Sequence, residues 1–279
     1  MGMAMADVKN FLVGILMGVV SQLPGASGAT IAVIFRIYER LIADVADIRG
    51  KMLKDLRFIL VVAAGLILGY VFCAKVLNAF IDEYYVPMLF FFGALIMMQI
   101  PDIRRMSEDG QPYTKYNMAA FIVGFLIMVA VFVSKQYFAS DGMITNWFIM
   151  LTAGIIVAAS FVSPGISGST MLLVLGIYPA FIDALDTLNF KELIPIAIGG
   201  IIGLIIFSKL IDHFMKTSRK STYSAILGLT AGSVVVVFAE AIMKTEGLDA
   251  VPLSILCVVG GVLIGYVLCR LARIYSDTN

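Results

Sequence analysis

The sequence predicts an all-α integral membrane protein, an inverted-topology repeat of six transmembrane helices plus two re-entrant helical hairpins. Three observations predict it. Of the 279 residues, 61% are hydrophobic and only 14% charged, against roughly 45–50% and about 25% in soluble domains. Apolar segments long enough to cross a bilayer recur along the chain. A loop of the pattern Pro-Gly-x-Ser-Gly-x-Thr occurs twice, at 24–30 and at 164–170, each time after a short apolar run.

Composition excludes several classes of function. Twenty Lys and Arg against nineteen Asp and Glu leave a formal charge of +1, so no basic excess points to a nucleic-acid partner. Cys73, Cys257 and Cys269 lie in or beside apolar segments with no C-x-x-C pair, and read as packing residues rather than as disulfides or metal ligands. His213 is the single histidine, too few for a multi-His metal site or relay. No metal and no other cofactor is expected.

A hydrocarbon core of about 30 Å needs roughly 20 apolar residues per helix. Six segments meet this: 57–80, 85–101, 117–138, 192–213, 222–243 and 252–272. Four shorter runs form two pairs, 10–23 with 29–42 and 147–162 with 169–186, each pair interrupted by a Gly/Ser/Pro cluster. Charge decides how these pairs lie, because Lys and Arg accumulate in cytoplasmic loops. If both pairs are re-entrant, only Lys75, Lys135, Lys191 and Lys244 fall outside. If both span, the Lys209 to Lys220 cluster and the C-terminal arginines move outward and the bias nearly vanishes. The re-entrant topology is therefore expected, with both termini cytoplasmic. The first apolar run meets a Pro-Gly break with only Lys9 before it, which does not read as a cleavable signal peptide.

An internal repeat points the same way. At one constant offset, Gly14-Ile15 recurs as Gly154-Ile155, Pro24-Gly25-Ala26-Ser27-Gly28-Ala29-Thr30 as Pro164-Gly165-Ile166-Ser167-Gly168-Ser169-Thr170, and Ile37-Tyr38 as Ile177-Tyr178. At a slightly different offset, Gly65, Gly69 and Lys75 recur as Gly199, Gly203 and Lys209. Residues 1–138 and 139–279 thus read as two copies of one unit, each a hairpin (10–42 and 147–186) followed by three spans. An odd number of spans turns the second copy upside down. Lys75 accordingly falls outside and Lys209 inside, and such inverted repeats with broken helices recur in secondary transporters.

Irregular backbone survives at membrane depth only inside protein or beside a water-filled cavity, because unpaired N–H and C=O groups cost several kcal/mol against lipid. The two loops are therefore expected near the midplane, approaching from opposite faces. Proline ends the incoming half-helix, the glycines let the backbone turn, and Ser and Thr stand where the next half-helix begins. Helix N-terminal N–H groups and hydroxyls together form an anion cup. Pro24, Gly25, Ser27, Gly28 and Thr30, facing Pro164, Gly165, Ser167, Gly168, Ser169 and Thr170, suit a phosphate-sized group. The alternative is that the hydroxyls only cap their own half-helices.

Other residues carry two readings each. Arg36, about two turns into the outgoing half-helix and matched by Gly176 in the repeat, either pairs with a phosphate at the cytoplasmic mouth or snorkels to the interface. Glu240 is either a protonation site for ion coupling or an interfacial residue. Tyr38 and Tyr178 line a cavity rim or, the safer expectation, anchor in the aromatic belt. The mixed-charge stretch Asp44 to Arg57 reads as an interfacial connector.

The duplicated Pro-Gly-x-Ser-Gly-x-Thr loops, in a chain of this length, resemble a family formerly known only as a domain of unknown function and now associated with polyprenyl-phosphate transport (PopT-type proteins). The similarity covers essentially the whole chain. It implies a flippase of the cytoplasmic membrane that returns undecaprenyl phosphate or a dolichyl-type phosphate to the inner leaflet for envelope or glycan synthesis, with a proton or sodium ion as a possible coupling partner. Undecaprenyl-pyrophosphate phosphatases are similar in architecture, but their Pro-Gly-x-Ser loop is followed by an arginine where Gly28 and Gly168 stand here. No pair of embedded glutamates with a nearby histidine accompanies them. The expected activity is transport without catalysis, with carriage of a small soluble anion as the runner-up and prenyl-pyrophosphate hydrolysis as the weakest reading.

Overall fold

The computed structural model describes residues 2–21, 27–107, 113–138, 146–163, 189–245 and 251–276, together with isolated positions between 168 and 187. Its elements are helices: α1 (Gly2–Ser21), α2 (Gly28–Ile34), α3 (Tyr38–Ala46), a π-helical turn (Ile48–Met52), α4 (Leu56–Met97), α5 (Ile100–Ser107), α6 (Lys115–Phe138), α7 (Trp147–Val162), α8 (Phe190–Met243) and α9 (Val251–Ser276). Among the described residues there is no strand. Four stretches are long and apolar enough to cross a membrane: Tyr84–Ser107, Lys115–Ser134, Phe190–Met243 and Val251–Arg270.

Two of these helices are too long for one crossing. At 1.5 Å per residue, the 42 residues of α4 run about 63 Å and the 54 of α8 about 80 Å, against a core of about 30 Å. Both are interrupted. Tyr84 leaves helical geometry at φ −120°, ψ 28°, three residues before Pro87, which lacks the N–H that a continuous helix needs. Ser218 does so at φ −149°, ψ 59°, inside the charged stretch Lys216 to Lys220, where exposed backbone meets water. The interruptions fall between the expected spans 57–80 and 85–101, and between 192–213 and 222–243.

Close helix pairs fix the relative directions of the elements. A Cβ at Gly65 would run into the Phe11 carbonyl and one at Gly69 into the Ile15 carbonyl. Both numbers rise together, so α1 and the first part of α4 run parallel. Gly199 against Leu151 and Gly203 against Ile155 make α7 parallel to the first part of α8. Gly228 on Phe121 and Gly232 on Phe125 do the same for α6 and the rest of α8, as do Gly261 on Phe91 and Gly265 on Leu95 for α9 and the rest of α4. Small residues let backbones approach where lipid leaves packing and hydrogen bonds as the main adhesive forces.

Polarity is inverted relative to a soluble protein. Phe72, Ile201 and Leu256 are each more than 60% exposed, while Gln99, Ser208, Ser224, Thr230 and Ser233 are buried. The main apolar core gathers Val13 and Met17 of α1, Ala29 and Ile31 to Ile34 of α2, Tyr38 and Ile42 of α3, and Phe92, Ile96, Ile103, Tyr223 and Ile226 around them.

The first hairpin departs from expectation in two ways. α1 begins at Gly2 rather than near residue 10. The outgoing run is not one half-helix over 29–42 but two helices, α2 and α3, separated at Phe35–Ile37. Arg36 makes the break. It takes φ 58°, and the Ile37 N–H reaches back to the Ala32 carbonyl while the Arg36 N–H reaches Val33, both at 3.0 Å. That is the Schellman pattern, with Arg36 where glycine is usual.

Candidate functional site

The first loop is described from Ser27 onward; Pro24 and Gly25 lie outside the described residues. Ser27 is the N-cap of α2, with extended backbone, and its Oγ accepts from the Ala29 N–H at 3.3 Å. The Thr30 N–H donates to the Ser27 carbonyl at 3.0 Å, and Thr30 itself is buried. The capping role is therefore occupied. All seven residues of α2 are buried, and a helix this short carries little macrodipole, so its donors are the first-turn N–H groups and the hydroxyls. Gly28 is pressed against α1, where a Cβ would stand 2.8 Å from the Met17 carbonyl.

Of the second loop, Gly168 is described; Pro164, Gly165, Ser167, Ser169 and Thr170 lie outside the described residues. A Cβ on Gly168 would meet Ser160 Oγ at 3.1 Å and the Val157 side chain at 3.3 Å. Gly28 faces Met17 and Gly168 faces Val157, each at the repeat's offset. The following turn also matches: Ile177 N–H donates to Leu172 O at 3.0 Å and Phe181 N–H to Ile177 O at 2.9 Å, as Ile37 does to Ala32 and Leu41 to Ile37.

The first loop meets the end of α7. α7 leaves helical geometry at Ser163, φ −92°, ψ 119°, and its last carbonyls receive donors from the first hairpin. Ser27 Oγ lies 3.5 Å from the Ser163 carbonyl, one residue before Pro164. Tyr38 Oη donates to the Val162 carbonyl at 2.8 Å. Tyr38 is 2% exposed, so belt anchoring is overturned for it: the phenol lies in the core because a helix C-terminus there needs a donor. Tyr178 and Gly176 lie outside the described residues.

The Arg36 side chain is exposed and, among the described residues, makes no hydrogen bond or ion pair. It is not two turns into a half-helix but at the turn that ends α2. Sequence reading missed its neighbour Glu39, which receives Tyr223 Oη at 2.6 Å and Arg219 Nη2 at 2.7 Å. This cluster ties the first turn of α3 to α8 immediately after the interruption at Ser218. Its partners are 180 and more residues apart, so no local spacing announced it.

Glu240 is buried within the protein, near the end of α8. Its Oε1 accepts from Tyr85 Oη at 2.9 Å, joining α8 to α4 just past the Tyr84 interruption, with the Lys244 ammonium 4.8 Å from the Tyr85 ring centroid. Among the described residues no Lys or Arg is buried, and no three His, Cys, Asp or Glu side chains come together as a metal site would need. A separate open cavity of about 500 Å³, lined by Asn146, Trp147, Phe190, Lys191 and Pro195 among others, lies at the start of α7 and α8.

Long apolar helices with large apolar side chains turned outward, and polar side chains such as Gln99 and Thr230 buried within, define an integral membrane protein. The chain belongs to the VCA0040-like family, described as undecaprenyl phosphate translocase-like, whose model matches residues 17–251. It is 30% identical over 244 residues to the polyprenyl-phosphate transporter of Staphylococcus aureus, covering 82% of this chain and 85% of that one. It is 26% identical over 247 residues to the polyprenyl-phosphate transporter of Vibrio cholerae, covering 84% and 78%. No solved structure matches the chain.

Proposed function

We propose that this protein carries a polyprenyl phosphate lipid across the cytoplasmic membrane, the head group held between the loops 24–30 and 164–170 and the prenyl tail left in the bilayer. The observation that carries this reading is the approach of Ser27 to the Ser163 carbonyl at the edge of the second loop, in a chain whose relatives are named polyprenyl-phosphate transporters. Pro24, Gly25, Ser27, Gly28 and Thr30 face Pro164, Gly165, Ser167, Gly168, Ser169 and Thr170 around the phosphate in this account. The donors are backbone N–H groups and hydroxyls. With no buried cation among the described residues to neutralise it, the anionic head group favours a co-transported proton or sodium ion, for which the buried Glu240 is a candidate.

The proposed architecture is the inverted repeat, 1–138 and 139–279, each a re-entrant hairpin followed by three spans, with both termini cytoplasmic. Parallel packing supports it. Because α1 and the first part of α4 run the same way, the chain turns back between them; a broken helix crossing the membrane would deliver α4 antiparallel. The same holds for α7 and α8. The interruptions at Tyr84 and Ser218 stand at the offset that relates Gly65 to Gly199. The two halves would alternate access by rocking about the loops, returning lipid to the inner leaflet for reuse.

Competition tests the substrate class. Uptake of a fluorescent short-chain polyprenyl monophosphate by reconstituted protein should be blocked by unlabelled polyprenyl monophosphate and not by millimolar inorganic phosphate. Inhibition by inorganic phosphate alone would indicate a carrier of soluble anions, and release of phosphate from a prenyl pyrophosphate would indicate a phosphatase.

A further inference from the structure

We propose that Tyr38 is a positioning residue of the head-group site, fixing the end of α7, and with it the start of the second loop, against the first. The inference rests on the reading of the two loops as the phosphate site. It starts from an accounting problem. The last carbonyls of a helix have no intrahelical donor, and a buried carbonyl left unpaired is costly. In a continuing helix the Val162 and Ser163 carbonyls would be met by N–H groups further along, but the chain leaves helical geometry at Ser163.

The first hairpin supplies the missing donors. Tyr38 Oη reaches the Val162 carbonyl at 2.8 Å and Ser27 Oγ approaches the Ser163 carbonyl at 3.5 Å, so consecutive carbonyls are met by two side chains of one hairpin. The tyrosine contact is the shorter and better buried of the two. Tyr38 is 2% exposed and opens α3 directly after the left-handed turn at Arg36. The next residue, Glu39, is held by Tyr223 and Arg219 of α8. The phenol is thus anchored on one side and bonded on the other to a residue two positions before the second loop. A binding site keeps its geometry to within about 0.5 Å only when neighbouring contacts lock it, and this is the contact that joins the two loop supports.

The test separates positioning from mere stability. Tyr38→Phe removes only the hydroxyl. Purified variant and wild type are titrated with a short-chain polyprenyl monophosphate and, in parallel, with the uncharged prenol of the same length. The expected result is an affinity for the monophosphate at least tenfold weaker and an affinity for the prenol unchanged. Tyr113→Phe, which removes a tyrosine hydroxyl bonded to Ser107 away from the loops, is the control and should keep the wild-type preference. Unchanged monophosphate affinity in Tyr38→Phe, or equal weakening for both ligands, overturns the proposal. A wild type that does not prefer the monophosphate overturns the phosphate-site reading instead. Hydrogen–deuterium exchange of the wild type is independent of whether the variant folds: the monophosphate should slow exchange in 28–31 and in 158–163 together, and protection of the first segment alone contradicts the tether.

Discussion

Arg36 carries the least comfortable backbone among the described residues. A non-glycine side chain at φ 58° costs roughly 1 kcal/mol where glycine would sit freely, and the matching position of the repeat is Gly176. Arg36→Gly should therefore raise the melting temperature, by about 1 kcal/mol of stability, and, because the side chain is exposed, keep most of the transport. A variant that is more stable but inactive would support the phosphate-pairing role instead. The connector after α3 titrates in a defined direction. Two hydrogen bonds from Arg40, at 2.6 and 2.7 Å, hold the Asp55 carboxyl below the usual carboxylate range, so its contribution is present above about pH 4 and is lost as pH falls through the depressed value. Burial, followed by the neighbouring Asp55 charge, pushes Asp44 the other way. Its contribution is present when protonated and fades as pH rises through the raised value. Asp44→Asn should thus match wild-type melting near pH 4 and exceed it at pH 8; a lower melting temperature at pH 8 would contradict the assignment. The sequence placed Arg36 within a helix, pairing with a phosphate or snorkelling, and Asp44 at the start of a mixed-charge connector; the left-handed turn and the opposite shifts of Asp44 and Asp55 depend on contacts it does not display.

At the scale of elements, hydropathy located the spans well because lipid imposes a minimum apolar length, and Lys115–Phe138 and Val251–Ser276 fall close to the expected 117–138 and 252–272. The hairpin interior was less legible. The division of 29–42 into α2 and α3 depends on a turn at a residue type that disfavours it, and the burial of Tyr38 depends on a carbonyl 124 residues away. The sequence shows where the glycines stand, but only the geometry says which of them are essential. A Cβ on Gly199 would collide with the Leu151 backbone, whereas one on Gly200 would meet nothing within 4 Å. Gly199→Ala is expected to cost about 1–3 kcal/mol by overpacking, and Gly200→Ala to be neutral or to stabilise by up to about 1 kcal/mol through helix propensity. Thermal melting in one detergent compares them directly. Equal effects would mean that α7 and α8 do not pack at this register.

For the molecule as a whole, the apolar composition and the helical membrane-protein class were the legible part, since lipid contact imposes both. The parallel pairs α1 with α4 and α7 with α8 are what the proposed re-entrant topology requires. The cross-hairpin bonds and the Glu39–Tyr223–Arg219 and Tyr85–Glu240 contacts were illegible, because each joins residues more than 100 positions apart that share no pattern. The first join the α2–α3 segment to the end of α7, the second joins α3 to α8, and the third joins α4 to α8. The most direct measurement is translocation of a fluorescent short-chain polyprenyl monophosphate in proteoliposomes, read by accessibility to a membrane-impermeant quencher, for wild type, the Ser27→Ala/Ser167→Ala double variant and empty liposomes. The account predicts movement in the wild type that falls at least tenfold in the double variant at equal reconstitution. Wild-type movement that survives the double substitution, or none above empty liposomes in folded protein, would contradict it.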